Sequence, residues 1–146
     1  MQAAANDVGT FRLFAYGSLL VQSELERVIE RSYIKRYQPH VMHGYRRCWT
    51  AVGRNVAYLD LCEDPGCSVN GSLIELPDKD LEKVDDWEEG YERVNVSGIQ
   101  MYISRPESRH GGAFVLRSYL RLVETALGAM LPPVPNELRI LEDEQL

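Results

Sequence analysis

The sequence lacks the features of several large functional classes. Its 146 residues include no run near the roughly 18 apolar residues that a membrane span requires. Residues 1–10 have neither the basic region nor the apolar core of a signal peptide, so we expect a soluble, cytoplasmic protein. Repeats, low-complexity stretches and long linkers are also absent, which predicts one domain.

Basic residues are too few and too dispersed for nucleic-acid binding. Lys and Arg number 16 against 22 Asp and Glu, and the only Arg-Arg pair is Arg46 and Arg47. Phosphate neutralisation needs a concentrated basic face, and an anionic membrane surface needs a polybasic patch. We therefore expect neither nucleic acid nor membrane as a partner. A hydrophobic content of 45% argues against a disordered chain.

Cysteine and histidine are scarce as well. The three cysteines are Cys48, Cys62 and Cys67, an odd count without the paired spacing of a zinc site, and the three histidines lie far from them in sequence. We favour reduced, partly buried thiols over the two alternatives, a disulfide and a metal site. We expect no metal and no cofactor.

Hydrophobic periodicity predicts strands along most of the chain. Residues 11–16 are mostly apolar, as is typical of a central strand, and they lead through Gly17 into a helical pattern from Val21 to Ile29. Tyr, Val, Trp and Leu then predict a mostly antiparallel sheet, with a turn at residues 63–66. The further predicted strands are residues 35–50, 55–61, 69–76 and 94–103, the last forming one strand or two.

Two more helices are predicted in the second half. Asp78 is a candidate cap for a helix that runs to Trp87 and ends before Gly90, which we expect in the left-handed conformation. A last helix covers about residues 116–127 and is followed by a proline-rich stretch. We divide the chain into a flexible N-terminus at 1–10, one domain at 11–135 and a C-terminal tail at 136–146.

A glycine turn joins the first strand to the first helix, in the sequence Tyr16-Gly17-Ser18-Leu19-Leu20. Glycine allows a sharp turn that leaves successive N–H groups pointing into open space, and such groups can hold a carboxylate or an oxyanion. The alternative is an ordinary strand-to-helix turn with a serine cap, which the spacing alone favours.

A carboxylate lies within the apolar stripe of the second predicted helix. At about 100° per residue, Glu88 falls between Leu81 and Val84 on the helical wheel, whereas Glu89 lies at one edge. Burial disfavours the charged form, so the pKa of Glu88 should rise into the range that suits proton transfer. A helix that frays before Trp87 would instead leave Glu88 solvated, and the two interpretations are evenly matched.

Nucleophilic catalysis has weaker support. No Gly-x-Ser-x-Gly surrounds Ser18, and no histidine is placed by sequence to activate it. Cys48 follows two arginines, but it lies in a strand-like run where a buried structural cysteine is the better interpretation. A backbone anion site with one perturbed acid predicts proton-transfer chemistry without a covalent nucleophile or a metal.

These residues resemble the γ-glutamylcyclotransferase-like superfamily, which includes γ-glutamylcyclotransferases, γ-glutamylamine cyclotransferases, ChaC-type enzymes and plant avirulence-induced proteins. Residues 16–19 are similar to its Tyr-Gly-Ser/Thr-Asn/Leu loop, and residues 84–88, followed by Tyr91 and Arg93, resemble its Leu-Asp-x-x-Glu segment. The resemblance spans about residues 11–135. The connecting pieces that also match are residues 44–47, 65–66, 69–71, 119–120, 128–129 and 132–133.

The resemblance implies an α+β fold with a mixed, mostly antiparallel, barrel-like sheet and flanking helices. It also implies Glu88 as the catalytic general base and acid. Leu19 stands where true γ-glutamylcyclotransferases often have Asn, and the chain is short for a ChaC-type enzyme, so glutathione is the less expected substrate. The substrate-binding residues that it implies are Tyr16, Gly17, Ser18, Leu19, Tyr91 and Tyr119.

The implied reaction cleaves a γ-glutamyl amide by attack of its own α-amine, which releases 5-oxoproline and a free amine or amino acid. Because nucleophile and electrophile belong to one small molecule, the site has mainly to fold that molecule into the attacking geometry. The alternative is a non-catalytic member of the same fold that binds a small ligand or a partner. The sequence does not identify the amine side of the substrate or the oligomeric state.

Overall fold

The computed structural model describes residues 9–52, 55–106, 109–110 and 114–143. Short 3₁₀ turns, Ser18–Leu20, Asp78–Asp80 and Gly128–Met130, adjoin its helices. Within the described residues, no helix is long and apolar enough to cross a membrane. The helices and strands are β1 (Thr10–Ala15), α1 (Gln22–Ile29), β2 (Gln38–Val52), β3 (Val56–Pro77), α2 (Leu81–Trp87), β4 (Tyr91–Val96), β5 (Ile99–Ser104), β6 (Arg109–His110), β7 (Phe114–Leu116), α3 (Arg117–Leu127) and β8 (Arg139–Leu141).

The strands form one mixed sheet in the order β4-β5-β1-β3-β2-β6, with β7 joined to β3 and β8 joined to β7. Four pairs are antiparallel, namely β1 with β3, β2 with β3, β2 with β6, and β4 with β5. The pairs β1 with β5, β3 with β7, and β7 with β8 are parallel. The predicted α+β class, with a mixed, mostly antiparallel sheet and flanking helices, is confirmed.

The long β2–β3 hairpin corrects the predicted turn at residues 63–66. β3 continues as one strand of 22 residues, and its register against β2 shifts where His43 pairs with Ser68 but Tyr45 pairs with Glu63. The extra residues on β3 therefore form a bulge opposite Gly44, whose φ of 88° is in the left-handed region. Pro65 and Gly66 lie in this bulge, so the turn-forming residues are accommodated without ending the strand.

The same hairpin corrects the expectation of reduced thiols. Cys48 pairs with Asp60 across the two strands, which puts Cys62 two residues further along the same face of β3. Cys48 and Cys62 form a disulfide with a Cα–Cα distance of 6.3 Å, and Cys67 is free. The odd cysteine count concealed this pair, because the pairing depends on the strand register and not on the spacing along the chain.

Side chains of β1 contribute to two parts of the hydrophobic core. Leu13 packs with Leu25 and Ile29 of α1, whereas Phe14 packs with Val123 of α3. Since successive residues of a strand point to opposite faces, β1 is covered on both sides, as its mostly apolar sequence predicts. The end of this strand therefore lies in the interior of the fold.

The helix predictions hold with small changes at the ends. α2 ends at Trp87, and Gly90 has the expected positive φ, 90°. No side-chain hydrogen bond caps the Asp78–Asp80 turn that precedes α2, so the capping role predicted for Asp78 is wrong. Of the segments outside the predicted domain, residues 1–8 and 144–146 lie outside the described residues. Residues 139–141 of the predicted tail form β8.

Candidate active site

The loop after β1 is held in place by β2 and β3. Arg47 donates from Nε to the carbonyl of Tyr16 at 2.8 Å and from Nη2 to the carbonyl of Asn70 at 2.5 Å. Next to Asn70, Gly71 leaves room for β1, because a Cβ there would collide with the Ala15 carbonyl oxygen and lie 2.7 Å from Cζ of Phe14. The loop therefore starts from a fixed position at the end of the buried strand.

The loop itself is a single 3₁₀ turn, Ser18–Leu20. Leu20 and Val21 donate their N–H groups to the carbonyls of Gly17 and Ser18, both at 3.0 Å. The N–H groups of Gly17, Ser18 and Leu19 have no hydrogen-bond acceptor within the described residues. No side chain caps the turn, so the serine-cap alternative is wrong. Gly17 has φ −141° and ψ −124°, so its φ is not in the left-handed region.

Glu88 lies immediately after the last residue of α2. Its N–H donates to the carbonyl of Val84 at 3.0 Å, and its carbonyl accepts from the N–H of Tyr91 at 3.0 Å. The interpretation that places Glu88 on the apolar face of the helix requires the helix to include this residue, but α2 ends one residue earlier, at Trp87. Glu88 nevertheless keeps the helical hydrogen bond and is partly buried, so it is not the solvated residue of the second interpretation.

Asp85 fixes the same end of α2 to the sheet. It accepts a hydrogen bond from the hydroxyl of Tyr102 on β5 at 2.5 Å and pairs with Arg93 on β4 at 3.4 Å. A carboxylate at the edge of the helix therefore connects it to two strands. This arrangement directs the next turn, which carries Glu88, toward the end of β1.

A cavity of about 350 Å³ lies between the loop, the end of α2 and the start of β3. All seven residues predicted for the site line it: Tyr16, Gly17, Ser18, Leu19, Glu88, Tyr91 and Tyr119. Among the described residues, no Lys, Arg or His lines the cavity. The further lining residues are Leu13, Phe14, Ala15, Glu24, Tyr58, Leu59, Trp87, Glu89 and Tyr102.

Three tyrosine hydroxyls organise the floor of this cavity. Tyr91 donates to the carbonyl of Leu59 at 3.0 Å, and the N–H of Leu59 donates to the hydroxyl oxygen of Tyr119 at 3.1 Å. Tyr16 donates to the carbonyl of Tyr102 at 2.5 Å. Tyr119 alone of the three uses its oxygen as an acceptor, and no acceptor for its own proton occurs within the described residues.

Burial sets the protonation of these groups. Loss of solvent raises the pKa of Glu88 to about 7, and the nearby Asp60 carboxylate adds to this effect. Burial also raises the pKa of Tyr16, Tyr91 and Tyr119, so their hydroxyls stay protonated at neutral pH. The cavity therefore combines neutral hydroxyl donors with one carboxyl group that can gain and lose a proton near pH 7.

Sequence reasoning missed the contribution of β3 and β5. Tyr58, Leu59 and Tyr102 line the cavity, and Asp60 lies beneath it. A charged residue between Leu59 and Leu61 in an apolar strand was a usable signal, because a buried charge requires hydrogen-bond partners. Within the described part of the chain, no three His, Cys, Asp or Glu side chains lie close enough together to bind a metal ion.

Comparison with known proteins shows the family of the chain. The profile of the gamma-glutamyl cyclotransferase, AIG2-like family matches residues 13–121, and the chain belongs to this family. The match extends from β1 into α3, so it includes the loop, β3, the end of α2 and Tyr119. Among curated protein sequences, none matches the chain significantly.

Solved structures share the fold at low sequence identity. YkqA from Bacillus subtilis is 18% identical with a TM-score of 0.68, over 90% of this chain and 53% of that one. A protein of Arabidopsis thaliana is 25% identical with a TM-score of 0.54, over 67% of this chain and 64% of that one. A structure named gamma-glutamyl cyclotransferase is 14% identical with a TM-score of 0.61, over 88% and 85%. The chain thus spans about half the length of YkqA.

Proposed function

We propose that the protein is a cyclotransferase that cleaves a γ-glutamyl amide by intramolecular attack, releasing 5-oxoproline and a free amine or amino acid. The observation that carries this proposal is Glu88, a carboxyl group with a pKa of about 7 that faces a cavity next to loop N–H groups without an acceptor among the described residues. Such a group can act as a base and as an acid within one turnover. Membership of the family supports the same reaction class.

The reaction begins when the carboxylate of Glu88 accepts a proton from the α-ammonium group of the substrate. The freed amine attacks the γ-carbonyl carbon, and a new C–N bond closes the five-membered ring. Glu88 then returns its proton to the amide nitrogen while the original C–N bond breaks. After ring closure the attacking nitrogen still has two protons. It keeps one as the ring N–H and loses the other to the departing amine, so the products are 5-oxoproline and a protonated amine.

The loop and the tyrosines have separate roles in this scheme. The N–H groups of Gly17, Ser18 and Leu19 bind the α-carboxylate of the substrate, because no cationic side chain among the described residues lines the cavity to do so. The hydroxyl of Tyr119 has a proton to donate and suits the carbonyl oxygen as negative charge develops on it. Tyr16 and Tyr91 shape the pocket, since their hydroxyl protons are already donated to backbone carbonyls.

The direct test is to incubate the purified protein with a panel of γ-glutamyl amino acids, γ-glutamyl amines and glutathione, and to measure 5-oxoproline. We expect at least one γ-glutamyl amide to be converted. Glu88→Gln should lower kcat by on the order of 100-fold or more, because glutamine keeps the shape but transfers no proton.

Glu89→Gln is the matched control, since Glu89 is an exposed carboxylate one position further along the chain. We expect it to retain most of the activity. If wild type releases no 5-oxoproline from any substrate but still binds them, the non-catalytic alternative is correct. If Glu89→Gln is inactive and Glu88→Gln is not, the assignment of the acid–base residue is wrong.

We further propose that the protein acts in the cytoplasm. The Cys48–Cys62 disulfide makes this a point to test, because the cytosol keeps most thiols reduced. Cell fractionation combined with thiol labelling before lysis would give both the location and the state of the two cysteines. Recovery in an oxidising compartment would contradict the proposed location.

A further inference from the structure

Asp60 is a fully buried carboxylate beneath the candidate site. It lies near the start of β3 with 0% of its surface exposed. Its Oδ1 accepts from the N–H of Leu61 at 2.9 Å and from the N–H of Ser104 at 3.0 Å, and its Oδ2 accepts from the hydroxyl of Ser104. Within the described residues no Lys or Arg forms an ion pair with it.

Glu88 has the opposite surroundings. Its carboxyl group faces the cavity, and no donor from the described residues forms a hydrogen bond to it. Hydrogen bonds from N–H and O–H donors stabilise a carboxylate, whereas burial without donors favours the protonated acid. When two carboxyl groups interact and only one is stabilised in this way, the proton resides on the other.

We propose that Asp60 is a positioning residue for Glu88: its carboxylate, held by Leu61 and Ser104, keeps the negative charge, so that Glu88 carries the exchangeable proton of the pair. Asp60 does not line the cavity and does not touch substrate. It acts through its charge and through β3, because the neighbouring Leu59 provides the backbone groups that hold Tyr91 and Tyr119.

The other groups around Glu88 do not supply this charge. From the loop, β4, α3 and β5, the neighbours are the hydroxyls of Tyr16, Tyr91, Tyr119 and Tyr102, all protonated at neutral pH. On α2, Asp85 is paired with Arg93. At the mouth, Glu24 of α1 is paired with Arg27 at 3.0 Å, and Glu89 is exposed. Consistent with this, Asp60 is the charged group that raises the pKa of Glu88 in addition to burial.

The relevance of this pair to catalysis rests on the proposed function, but the protonation of Glu88 can be measured without substrate. We would titrate the ¹³C carboxyl signals of wild type, Asp60→Asn and Glu89→Gln by NMR, with Glu88→Gln to assign Glu88. Asparagine keeps the acceptor for the two N–H groups and can donate to the Ser104 hydroxyl, so it removes the charge with little change in shape.

We expect the Glu88 signal of wild type to titrate near pH 7 and that of Asp60→Asn to titrate lower by on the order of one pH unit, a tenfold change in the protonation equilibrium. Glu89→Gln should shift it far less, because solvent screens the exposed carboxylate. In active protein, the acidic limb of kcat/KM should move to lower pH by the same amount in Asp60→Asn. An unchanged Glu88 titration in a folded Asp60→Asn protein would overturn the proposal.

Wild type and Glu88→Gln decide the case if Asp60→Asn fails to fold. We expect the carboxyl signal that titrates near pH 7 in wild type to be the one that Glu88→Gln removes. If that signal persists in Glu88→Gln, another group carries the exchangeable proton and the proposal is overturned. If the titrations agree with it but no γ-glutamyl amide is converted, the proposed function fails and the role of Asp60 remains. If a γ-glutamyl amide is converted but the titrations differ from those expected, the proposed function remains and the role of Asp60 fails.

Discussion

Glu88 illustrates how a functional residue can weaken the fold that holds it. A base must be ionised to accept a proton, but burial and the Asp60 carboxylate both disfavour the ionised form. The pKa of Glu88 is about 7 in the folded protein, whereas the ordinary value for a solvated glutamate, 4.5, applies to the unfolded chain. The folded state therefore binds more protons than the unfolded chain between these two pH values. The free energy of unfolding therefore falls as the pH rises through this window.

We predict that Glu88→Gln is more stable than wild type at pH 8 and differs little from it at pH 4. Glutamine has nearly the same volume and cannot ionise, so the variant avoids the cost of burying a charge. A shift from 4.5 to about 7 corresponds to a gain of on the order of 1–3 kcal/mol at the higher pH. Urea unfolding of both proteins at the two pH values measures this difference.

Glu89→Gln again serves as the control and should show no such dependence on pH. If Glu88→Gln were clearly less stable than wild type at pH 8, Glu88 would be a charged group held by structural hydrogen bonds. The assignment of Glu88 as the acid–base residue would then lose its physical basis.

At the scale of elements, the sequence predicted those helices, strands and helix ends that depend on residues close together in the chain. The apolar run of β1, the amphipathic helices α1 and α3, and the glycine after α2 were all visible in the sequence. The bulge opposite Gly44 was not, because Pro65 and Gly66 have the same local preferences in a turn and in a bulge. What distinguishes the two is the pairing of β3 with β2 on both sides of it.

The residues of the candidate site also fall into two groups, those that the sequence predicted and those that it did not. The loop and Glu88 were predicted from short motifs, whereas Asp60 and Tyr102 were not, since each acquires its role through a partner distant in sequence. Asp60 meets Ser104 across 44 residues, and Tyr102 accepts from Tyr16 across 86. Without knowledge of the sheet order, no spacing rule brings these residues together.

Gly71 is the point at which β3 positions the site loop, and we predict that Gly71→Ala disturbs it. The added Cβ would meet the Ala15 carbonyl oxygen and the Phe14 ring, so β1 would have to move at the residue before Tyr16. We expect the free energy of unfolding to fall by about 1–3 kcal/mol and the KM for a converted γ-glutamyl amide to rise. Thermal unfolding and steady-state kinetics measure the two effects.

Gly66→Ala is the matched control in the same strand. A Cβ there has Asp64 Oδ1 at 3.9 Å as its nearest neighbour, which is an ordinary contact. This variant should resemble wild type in both measurements. Equal effects of the two substitutions would mean that the close approach between Gly71 and β1 does not position the loop.

At the scale of the molecule, the sheet order brings four distant segments to one cavity. The loop after β1, the start of β3, the end of α2 and the start of α3 line it together. β3 is central to this assembly, because it pairs with β1, β2 and β7 along its length. A change in the stability of the β2–β3 hairpin should therefore be measurable in the unfolding of the whole domain.

The Cys48–Cys62 disulfide crosses this hairpin, and its removal supplies the corresponding prediction. The bond joins residues 14 apart, so it limits the conformations of the unfolded chain by closing a short loop. We expect the double variant Cys48→Ser/Cys62→Ser to lose about 2–3 kcal/mol, or roughly 5–10 °C in Tm, relative to oxidised wild type. Activity below the transition should persist, since no cysteine takes part in the proposed reaction.

Two comparisons make this result specific. Cys67→Ser removes the free thiol and should leave Tm unchanged, and wild type in a reducing agent should unfold like the double variant. Thiol counting on the unfolded, non-reduced protein should find one free cysteine, Cys67. Three free thiols, with a double variant as stable as wild type, would mean that Cys48 and Cys62 remain reduced in solution, as the composition of the sequence had led us to expect.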